Sequence, residues 1–405
     1  MTDRLRISPK VTAIFTLLAL VGAAGFVSGV LGREPLRAWQ AYLVNFLFWT
    51  GLSFGAVLFV AVLNLTGATW GRPLKRLAES FGAYLPAGFI LFWTLYFGRM
   101  NIFPWILEPA AGKEIWLNVP FLFARNGAGF LILSIVSLAM VYFSVKADLE
   151  WREAPTQGGE SVDVKSPWSR NWKWQRILSP IVAITYGFVL TLAAFDLVMS
   201  LDPHWYSTLL GGYFLVGCFY SAVAVLYFLA LIMASHERIK EYLFPRHLHD
   251  LGKLLLAFCL FTGYLFYAQF LTIWYGNLPE ETRYVILRVK LTPWEPLAWV
   301  TLFMIFLLPF FILLSRRIKL NRAAMLPLSL MVIVGMWLER FILVAPSLWK
   351  RGNIPLGITE VLVTAGYLGI VGLCVTGFLK RVPLLPVSDP LFRESLKMND
   401  ERLRP

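Results

Sequence analysis

Residues 191–208 read TLAAFDLVMSLDPHWYST, and this stretch places a carboxylate, Asp196, inside an apolar run that Pro203 ends. The apolar run predicts a helix that stops before the proline, with Asp196 about two turns inside the stop. A carboxylate at that depth costs roughly 2.5–3.5 kcal/mol if lipid surrounds the helix. Asp196 therefore needs a partner or a chemical role, which the rest of the chain must supply.

The apolar content of the whole chain predicts an integral membrane protein. Of its 405 residues, 58% are hydrophobic and only 15% are charged, which is too much apolar surface for a soluble domain. Runs of about twenty apolar residues can cross ~30 Å of hydrocarbon as helices, and these runs do not alternate as barrel strands would. We predict an all-α polytopic membrane protein with ten transmembrane helices, near residues 11–31, 40–65, 77–98, 119–145, 177–201, 208–235, 251–276, 291–315, 324–346 and 357–380.

The distribution of basic residues indicates the topology. If all ten segments cross, one side collects 25 of the 37 Lys and Arg residues and the other collects 9. By the positive-inside rule, both termini are cytoplasmic, and the net charge of +13 reflects topology and not nucleic-acid binding. The first segment follows Arg4, Arg6 and Lys10 without a clear cleavage site, so we expect it to remain as a signal anchor.

An internal repeat is predicted from aligning the chain with itself. A shift of 168 residues aligns the second segment with the sixth, and a shift of 143 aligns the fifth with the ninth, pairing Asp196 with Glu339 and Pro203 with Pro346. The repeat predicts two parallel four-helix bundles, helices 2–5 and 6–9, with helices 1 and 10 peripheral. The predicted units are residues 1–39 (cytoplasmic N terminus and first helix), 40–201 (first bundle), 208–346 (second bundle), 357–380 (last peripheral helix) and 381–405 (cytoplasmic tail).

The repeat makes Asp196 one of two acids at matching depth near the outer face, where Arg125 and Arg340 could reach them. Four such charges indicate either a proton-handling or quinone site, or ion pairs that only tie helices together. A quinol site needs a carboxylate or imidazole within hydrogen-bond reach of the ring. The candidate residues are Asp196, Glu339, Arg340, Arg125, Asp202 and Glu360, with Tyr264, Tyr267 and Trp274 as aromatics of a candidate quinone niche, although a tyrosine stripe is more often helix packing.

The histidines and cysteines give no sign of a redox centre or metal in this chain. The histidines all fall in predicted loops or at helix ends, where they cannot hold haem b within the membrane: His204, His236, His247 and His249. The cysteines stand singly, without metal or haem-attachment spacing: Cys218, Cys259 and Cys374. Any redox role must then proceed through a quinone or through proton transfer on behalf of partner subunits.

Four motifs resemble one family of respiratory membrane subunits. Residues 200–207 (SLDPHWYS), 249–254 (HDLGKL), 274–282 (WYGNLPEET) and 335–340 (GMWLER) are similar to the ActF-type subunits of Alternative Complex III, within the NrfD/PsrC-type superfamily. The resemblance covers the chain from the second helix to the tenth. It implies a bacterial inner-membrane complex that oxidises quinol, menaquinol included, and reduces cytochrome c or a similar carrier.

The resemblance also implies which partners carry the cofactors. Haem c and iron–sulfur clusters would lie on a multihaem cytochrome and an iron–sulfur protein, and a sister NrfD-like subunit would hold the better-supported quinol site. This chain would then contribute scaffold, a proton route or a quinone niche. Two alternatives remain: the quinone-binding anchor of a polysulfide-reductase-type molybdopterin oxidoreductase, and a secondary transporter, although transporters more often show inverted repeats.

Overall fold

The computed structural model describes residue 5 and residues 7–153, 167–234 and 242–400, so His236 lies outside the described residues. The regular elements there are helices, with short 3-10 turns at Arg72–Leu74, Phe81–Tyr84, Pro104–Ile106 and Met199–Leu201. The helices are α1 (Pro9–Leu31), α2 (Pro35–Thr66), α3 (Lys75–Ser80), α4 (Leu85–Thr94), α5 (Arg99–Ile102), α6 (Val119–Glu153), α7 (Pro167–Leu197), α8 (Leu209–Met233), α9 (Pro245–Gly276), α10 (Pro279–Val289), α11 (Trp294–Leu302), α12 (Leu308–Leu314), α13 (Arg316–Leu320), α14 (Arg322–Leu348), α15 (Ile358–Arg381) and α16 (Pro390–Asp400).

Nine helical segments in the described part of the chain are long and apolar enough to cross a membrane. The prediction of an all-helical polytopic membrane protein is confirmed. The third of the ten predicted segments is instead divided into α3, the 3-10 turn Phe81–Tyr84 and α4. Pro86 lacks the N–H that would bond to the Gly82 carbonyl, so the regular α-helical pattern lapses at this point. A tenth crossing through these pieces stays a prediction.

The ends of several helices differ from the sequence-based bounds. Helix α7 ends at Leu197, and the 3-10 turn Met199–Leu201 follows, so Asp196 lies in the last α-helical turn and not two turns inside it. The Ser200 hydroxyl donates to the Asp196 carbonyl at 2.6 Å and helps to satisfy this early end. The predicted inner loop 146–176 is partly helical, because α6 continues to Glu153 and α7 begins at Pro167.

His247 lies before the predicted segment 251–276, but the structure places it in a helix and not in a loop. Helix α9 already begins at Pro245, and the His247 side chain is buried. Its Nδ1 accepts the backbone N–H of Phe244 at 3.1 Å, which satisfies one of the free amides at the start of the helix. His247 is therefore part of the helix cap.

Helix α2 is the centre of the structure, buried almost throughout and packed against α7, α8, α14 and α15. It crosses α8 at close range where Gly51 and Gly55 face Cys218 and Ala222. A Cβ on Gly55 would lie 2.7 Å from the Cys218 carbonyl oxygen, so a larger residue cannot fit at this crossing. Small residues four apart, as at Gly51 and Gly55, permit such a close approach, although this spacing is common in membrane bundles.

Helices α1 and α15 pack against each other along a glycine seam. A Cβ on Gly22 would lie 2.2 Å from the Cα of Gly366, so the two backbones are in direct contact there. Within its membrane-spanning window, α1 is only 11% buried, whereas α2 is 89% buried. The pair α1 and α15 therefore flanks the core, and the division into two four-helix bundles stays a prediction.

A proline breaks the helix that corresponds to the eighth predicted segment. Between α11 and α12 the chain makes a π turn, Phe303–Leu307. Pro309 has no backbone N–H to donate to the carbonyl of Ile305, four residues earlier. This carbonyl would therefore have no hydrogen-bond donor if lipid surrounded it. Instead it accepts the Tyr220 hydroxyl at 3.0 Å and the Cys259 thiol at 3.5 Å. Side chains of α8 and α9 thus complete the hydrogen bonding of the broken helix.

Candidate functional site

Asp196 accepts four hydrogen bonds and is fully buried. Arg125 approaches with both Nε (2.6 Å to Oδ2) and Nη2 (2.5 Å to Oδ1). Asn126 Nδ2 donates to Oδ2 at 2.6 Å, and Trp116 Nε1 donates to Oδ1 at 3.0 Å. A bidentate arginine with two neutral donors is among the strongest hydrogen-bonding arrangements for a carboxylate.

The donors to Asp196 come from the first turns of α6 and the loop before it. The Arg125 guanidinium carbon lies 3.9 Å from the centre of the Trp116 ring and 4.6 Å from that of Phe121, so aromatic rings cover the cation. Its Nη1 also donates to the Trp116 carbonyl at 3.0 Å. This set of contacts joins α6, α7 and the loop before α6, and it leaves Asp196 no free lone pair for a ligand.

Glu339 is also buried, but its hydrogen bonding is incomplete. Arg340 is its ion-pair partner, with Nη1 3.2 Å from Oε2 and 3.4 Å from Oε1. The geometry at Oε2 is not that of a hydrogen bond, and this oxygen has no hydrogen-bond donor among the described residues. The phenol of Tyr213 faces the same carboxyl group. Glu339 therefore retains an acceptor position inside the bundle.

Arg340 is held by α8 more firmly than by Glu339. Its Nη2 donates to the Phe214 carbonyl at 2.9 Å and approaches the Cys218 sulfur at 3.4 Å, and its guanidinium carbon lies 3.9 Å from the centre of the Phe214 ring. The four charges thus form two separate ion pairs, Arg125 with Asp196 and Arg340 with Glu339. Among the described residues, no further ion pair links one of these pairs to the other.

Arg288 lies beside the C-terminal end of α14, and it was not among the candidate residues predicted from the sequence. Pro346 cannot donate to the carbonyl of Ile342, and Arg288 Nε donates to that oxygen at 3.0 Å. Arg288 Nη2 donates to the Leu343 carbonyl at 3.0 Å and to the Ser347 hydroxyl at 2.7 Å. A proline inside an apolar helix, together with an arginine in the neighbouring outer connection, is the signal that could have predicted this contact.

A stack of three side chains positions Arg288. The guanidinium carbon lies 3.3 Å from the centre of the Tyr284 ring, and the Tyr284 and Trp205 rings are parallel with centres 3.6 Å apart. Trp205 belongs to the motif SLDPHWYS after α7, so the stack joins the C-terminal ends of α7 and α14, which the predicted repeat pairs. The predicted repeat aligns Pro203 with Pro346. Pro203 is two residues before Trp205 in the chain, and of the two prolines only Pro346 lies within a helix.

Replacing Arg288 by Met is expected to lower the free energy of unfolding by about 3 kcal/mol, because buried carbonyls lose charged donors worth about 1–3 kcal/mol each. Unfolding in mixed detergent micelles with increasing dodecyl sulfate measures the change. Arg283→Met is the matched control, since Arg283 is exposed on the same helix. Equal stability of the two variants would contradict a bonding role for Arg288.

The other candidate residues do not join either ion pair. Glu360 accepts Arg37 Nε at 2.6 Å and Nη2 at 2.7 Å, and it accepts the Gly357 N–H at 2.8 Å, so it caps α15 and ties it to α2. Asp202 is half-buried after the 3-10 turn, and its carbonyl accepts the Trp205 N–H at 3.0 Å. The candidate niche aromatics point out of α9, with exposed fractions of 64% for Tyr264, 59% for Tyr267 and 64% for Trp274.

A second charged network, at the other end of the bundle, was also missed. Three cations and three acids are buried together: Arg72, Lys75, Arg76, Glu79, Asp148 and Asp389. Asp389, from the C-terminal segment, lies 3.0 Å from Arg72 Nη1 and 2.8 Å from Lys75 Nζ. Arg76 pairs with both Glu79 and Asp148. From the sequence alone, the basic residues of this region count only towards the positive-inside excess.

The C-terminal segment completes this network and docks onto the helices. Ser388 donates to Asp148 Oδ1 through its N–H at 2.8 Å and through its hydroxyl at 2.5 Å. Leu385, Val387 and Phe392 are buried, with Tyr242 packed against them. The first part of the predicted tail, residues 382–396, is therefore docked, while residues 401–405 lie outside the described part of the chain.

Comparison with known proteins identifies the family of this membrane protein. A family model described as "Polysulphide reductase, NrfD" matches residues 29–350, which include α2 to α14 and all of the charged residues around Asp196 and Glu339. No curated protein matches the chain. Within the described residues, no group of three or more His, Cys, Asp or Glu side chains is placed to hold a metal ion. The chain belongs to the NrfD (polysulphide reductase) family, whose members are integral membrane subunits generally associated with quinone in oxidoreductase complexes.

Proposed function

We propose that this chain is the ActF-type membrane subunit of a quinol-oxidising complex of the Alternative Complex III kind. In this role it supplies the scaffold and handles protons, or contacts quinone, at Glu339. The observation that carries the proposal is a buried glutamate whose Oε2 has no hydrogen-bond donor among the described residues. The four motifs that resemble ActF-type subunits and the family match support the choice of complex.

The two acids are assigned different roles. A group that takes up and releases protons needs a lone pair that a proton donor can reach. Asp196 has all its positions filled by Arg125, Asn126 and Trp116, so it acts as a structural tie. Glu339 has one open oxygen and a phenol, Tyr213, beside it, which together can pass a proton. Glu339 is therefore our candidate for the proton route.

The expected partners follow from the proposed complex. A multihaem cytochrome c and an iron–sulfur protein would carry the electrons, and a sister NrfD-like subunit would share the quinone pool. The proposal places the chain in a bacterial inner membrane with both termini in the cytoplasm, as the basic excess on one side favours. Cytochrome c, or a similar carrier, would be the electron acceptor.

A second candidate is the membrane anchor of a molybdopterin oxidoreductase, favoured by the description of the matching family as a polysulphide reductase. Purification of the chain with its native partners separates the two. A multihaem cytochrome in the isolated complex supports the first proposal, and a molybdenum protein supports the second. A chain that is isolated and functions alone would contradict both and would favour a transporter.

Replacing Glu339 by Gln is expected to lower quinol:cytochrome c turnover of the purified complex at least tenfold, since a positioned proton acceptor contributes about 10²–10⁴-fold. The amide keeps the size of the side chain but cannot take up the proton. Proton release per turnover is measured in the same samples with a pH indicator. Glu108→Gln, at an exposed glutamate, is the control. Unchanged turnover and proton release in Glu339→Gln would refute the proton role.

A further inference from the structure

An open groove of about 540 Å³ runs along α1 beside the end of α15. It is lined by Thr12, Ala13, Thr16, Leu17 and Leu20 of α1 and by Lys380 of α15. The residues of α1 recur every three or four positions, so they lie on one face of the helix. The groove therefore follows one face of α1, with Lys380 of α15 beside it.

The polarity of the groove changes along its length. Lys380 and Thr12 form the polar end, where Lys380 Nζ donates to Thr12 Oγ1 at 2.6 Å, and Leu17 and Leu20, 62% and 65% exposed, form the apolar end. From Pro9 to Leu20 the helix rises about 16 Å, roughly half of a ~30 Å hydrocarbon core. A ligand that fits has a charged head and an apolar chain the length of one leaflet.

Lys380 gives the polar end a positive charge that no carboxylate of the described residues pairs with. The ion pairs formed within the described residues do not include Lys380, so two of its three ammonium hydrogens remain for another acceptor. It also lies at the end of the bundle that has the excess of basic residues. Basic pockets between helices at such an end bind the phosphate of anionic lipids.

We propose that this groove binds an anionic phospholipid, with its phosphate on Lys380 and one acyl chain along Thr16, Leu17 and Leu20. The proposal is independent of the role of Glu339, which lies on α14. The lipid would cover the exposed face of α1 and join it to α15 beyond the glycine seam. A helix of a partner subunit is the competing occupant.

Native mass spectrometry tests the proposal on the full chain, alone and in its complex. After lipid is stripped by detergent exchange, the protein is incubated with equal amounts of dioleoylphosphatidylglycerol or dioleoylphosphatidylcholine. We expect about fivefold greater retention of the anionic lipid, since one surface cation contributes about 1 kcal/mol towards it. A further sample contains millimolar inorganic phosphate, which we expect to leave the bound lipid in place.

Variants at the two ends of the groove make the test specific. Lys380→Gln keeps a donor for Thr12 but should abolish the fivefold preference, and Lys380→Arg should retain it. Arg381→Gln is the matched control, because it removes the same charge one residue further at an exposed position outside the groove. Ala13→Trp should lower retention of both lipids by filling the groove.

Four results would overturn the proposal. The first two are equal retention of the two lipids by the unaltered chain, and an equal effect of Arg381→Gln and Lys380→Gln on that retention. The third is displacement of the bound lipid by inorganic phosphate. The fourth is lipid binding by the isolated chain that is absent from the complex. The last result would assign the groove to a partner helix. Circular dichroism and the elution volume of each variant show that it is folded.

Discussion

Asp196→Asn is expected to lower the free energy of unfolding by about 3–5 kcal/mol, the cost of leaving a buried charge without its partner. The change removes the negative charge but keeps the shape of the side chain. Arg125, only 10% exposed, then stays covered by Trp116 and Phe121 with no carboxylate beside it. Equilibrium unfolding in mixed micelles, followed by tryptophan fluorescence, measures the loss.

Two further variants separate the ion pair from general disturbance of α7. The double variant Arg125→Met with Asp196→Asn removes both charges and should recover most of the loss, because an unpaired charge and not the missing pair is the main cost. Asp202→Asn, at a half-buried acid outside the ion pairs of the described residues, should change stability by less than about 1 kcal/mol. If Asp196→Asn lowers the free energy of unfolding no more than Asp202→Asn does, the structural role assigned to Asp196 is wrong.

Asp389→Asn is expected to release the C-terminal segment and to lower stability by about 3–5 kcal/mol. Arg72 and Lys75 are both almost fully buried and both pair with this one carboxylate, so its neutralisation leaves two buried cations. Limited proteolysis, with cleavage sites located by mass spectrometry, measures release of residues 382–400. Glu394→Gln, an exposed acid four residues into the last helix, is the control and should leave the segment protected.

The pKa of Asp389 sets the pH range over which this contact holds. Burial alone would raise the pKa, but the charges of Lys75 and Arg72 outweigh it and hold the pKa below its usual value. A lowered pKa in the folded state means that the stabilisation is present above the unfolded pKa of about 3.9 and is lost as the pH falls through the folded value. The segment should therefore stay protected from about pH 5 to neutrality. Release within that range would contradict the assigned ion pairs.

The membrane-spanning helices were largely predictable because length and apolar content alone decide them. The Gly51 and Gly55 contact was also predictable, since small residues four apart form a flat strip on a helix. The pairing of Arg125 with Asp196 was foreseen only as one alternative. Its other donors, Asn126 and Trp116, were not, because helices that are apolar on all sides give no periodic signal to show which face meets which neighbour.

The contacts of Arg288 and Asp389 were missed for a related reason. Each residue lies in a polar connection or tail, where sequence patterns indicate solvent, and each finds its partners in distant elements of the chain. Asp389 is separated from Arg72 by more than 300 positions. The positive-inside rule counts the basic residues at 72–76 in the same way whether their side chains face lipid headgroups or buried acids. The topology can therefore be predicted from these residues without knowing that they pair with buried carboxylates.

The carbonyls freed by Pro309 and Pro346 have a consequence for synthesis at the ribosome. Ile305 is bonded by Tyr220 and Cys259, and Ile342 is bonded by Arg288, so in both cases the donor is made before the acceptor. The helical segments that carry these two carbonyls can therefore leave the translocon after the elements that carry the missing hydrogen-bond donors. The order of the chain spares both carbonyls a period of exposure to lipid, where an unpaired polar group costs several kcal/mol.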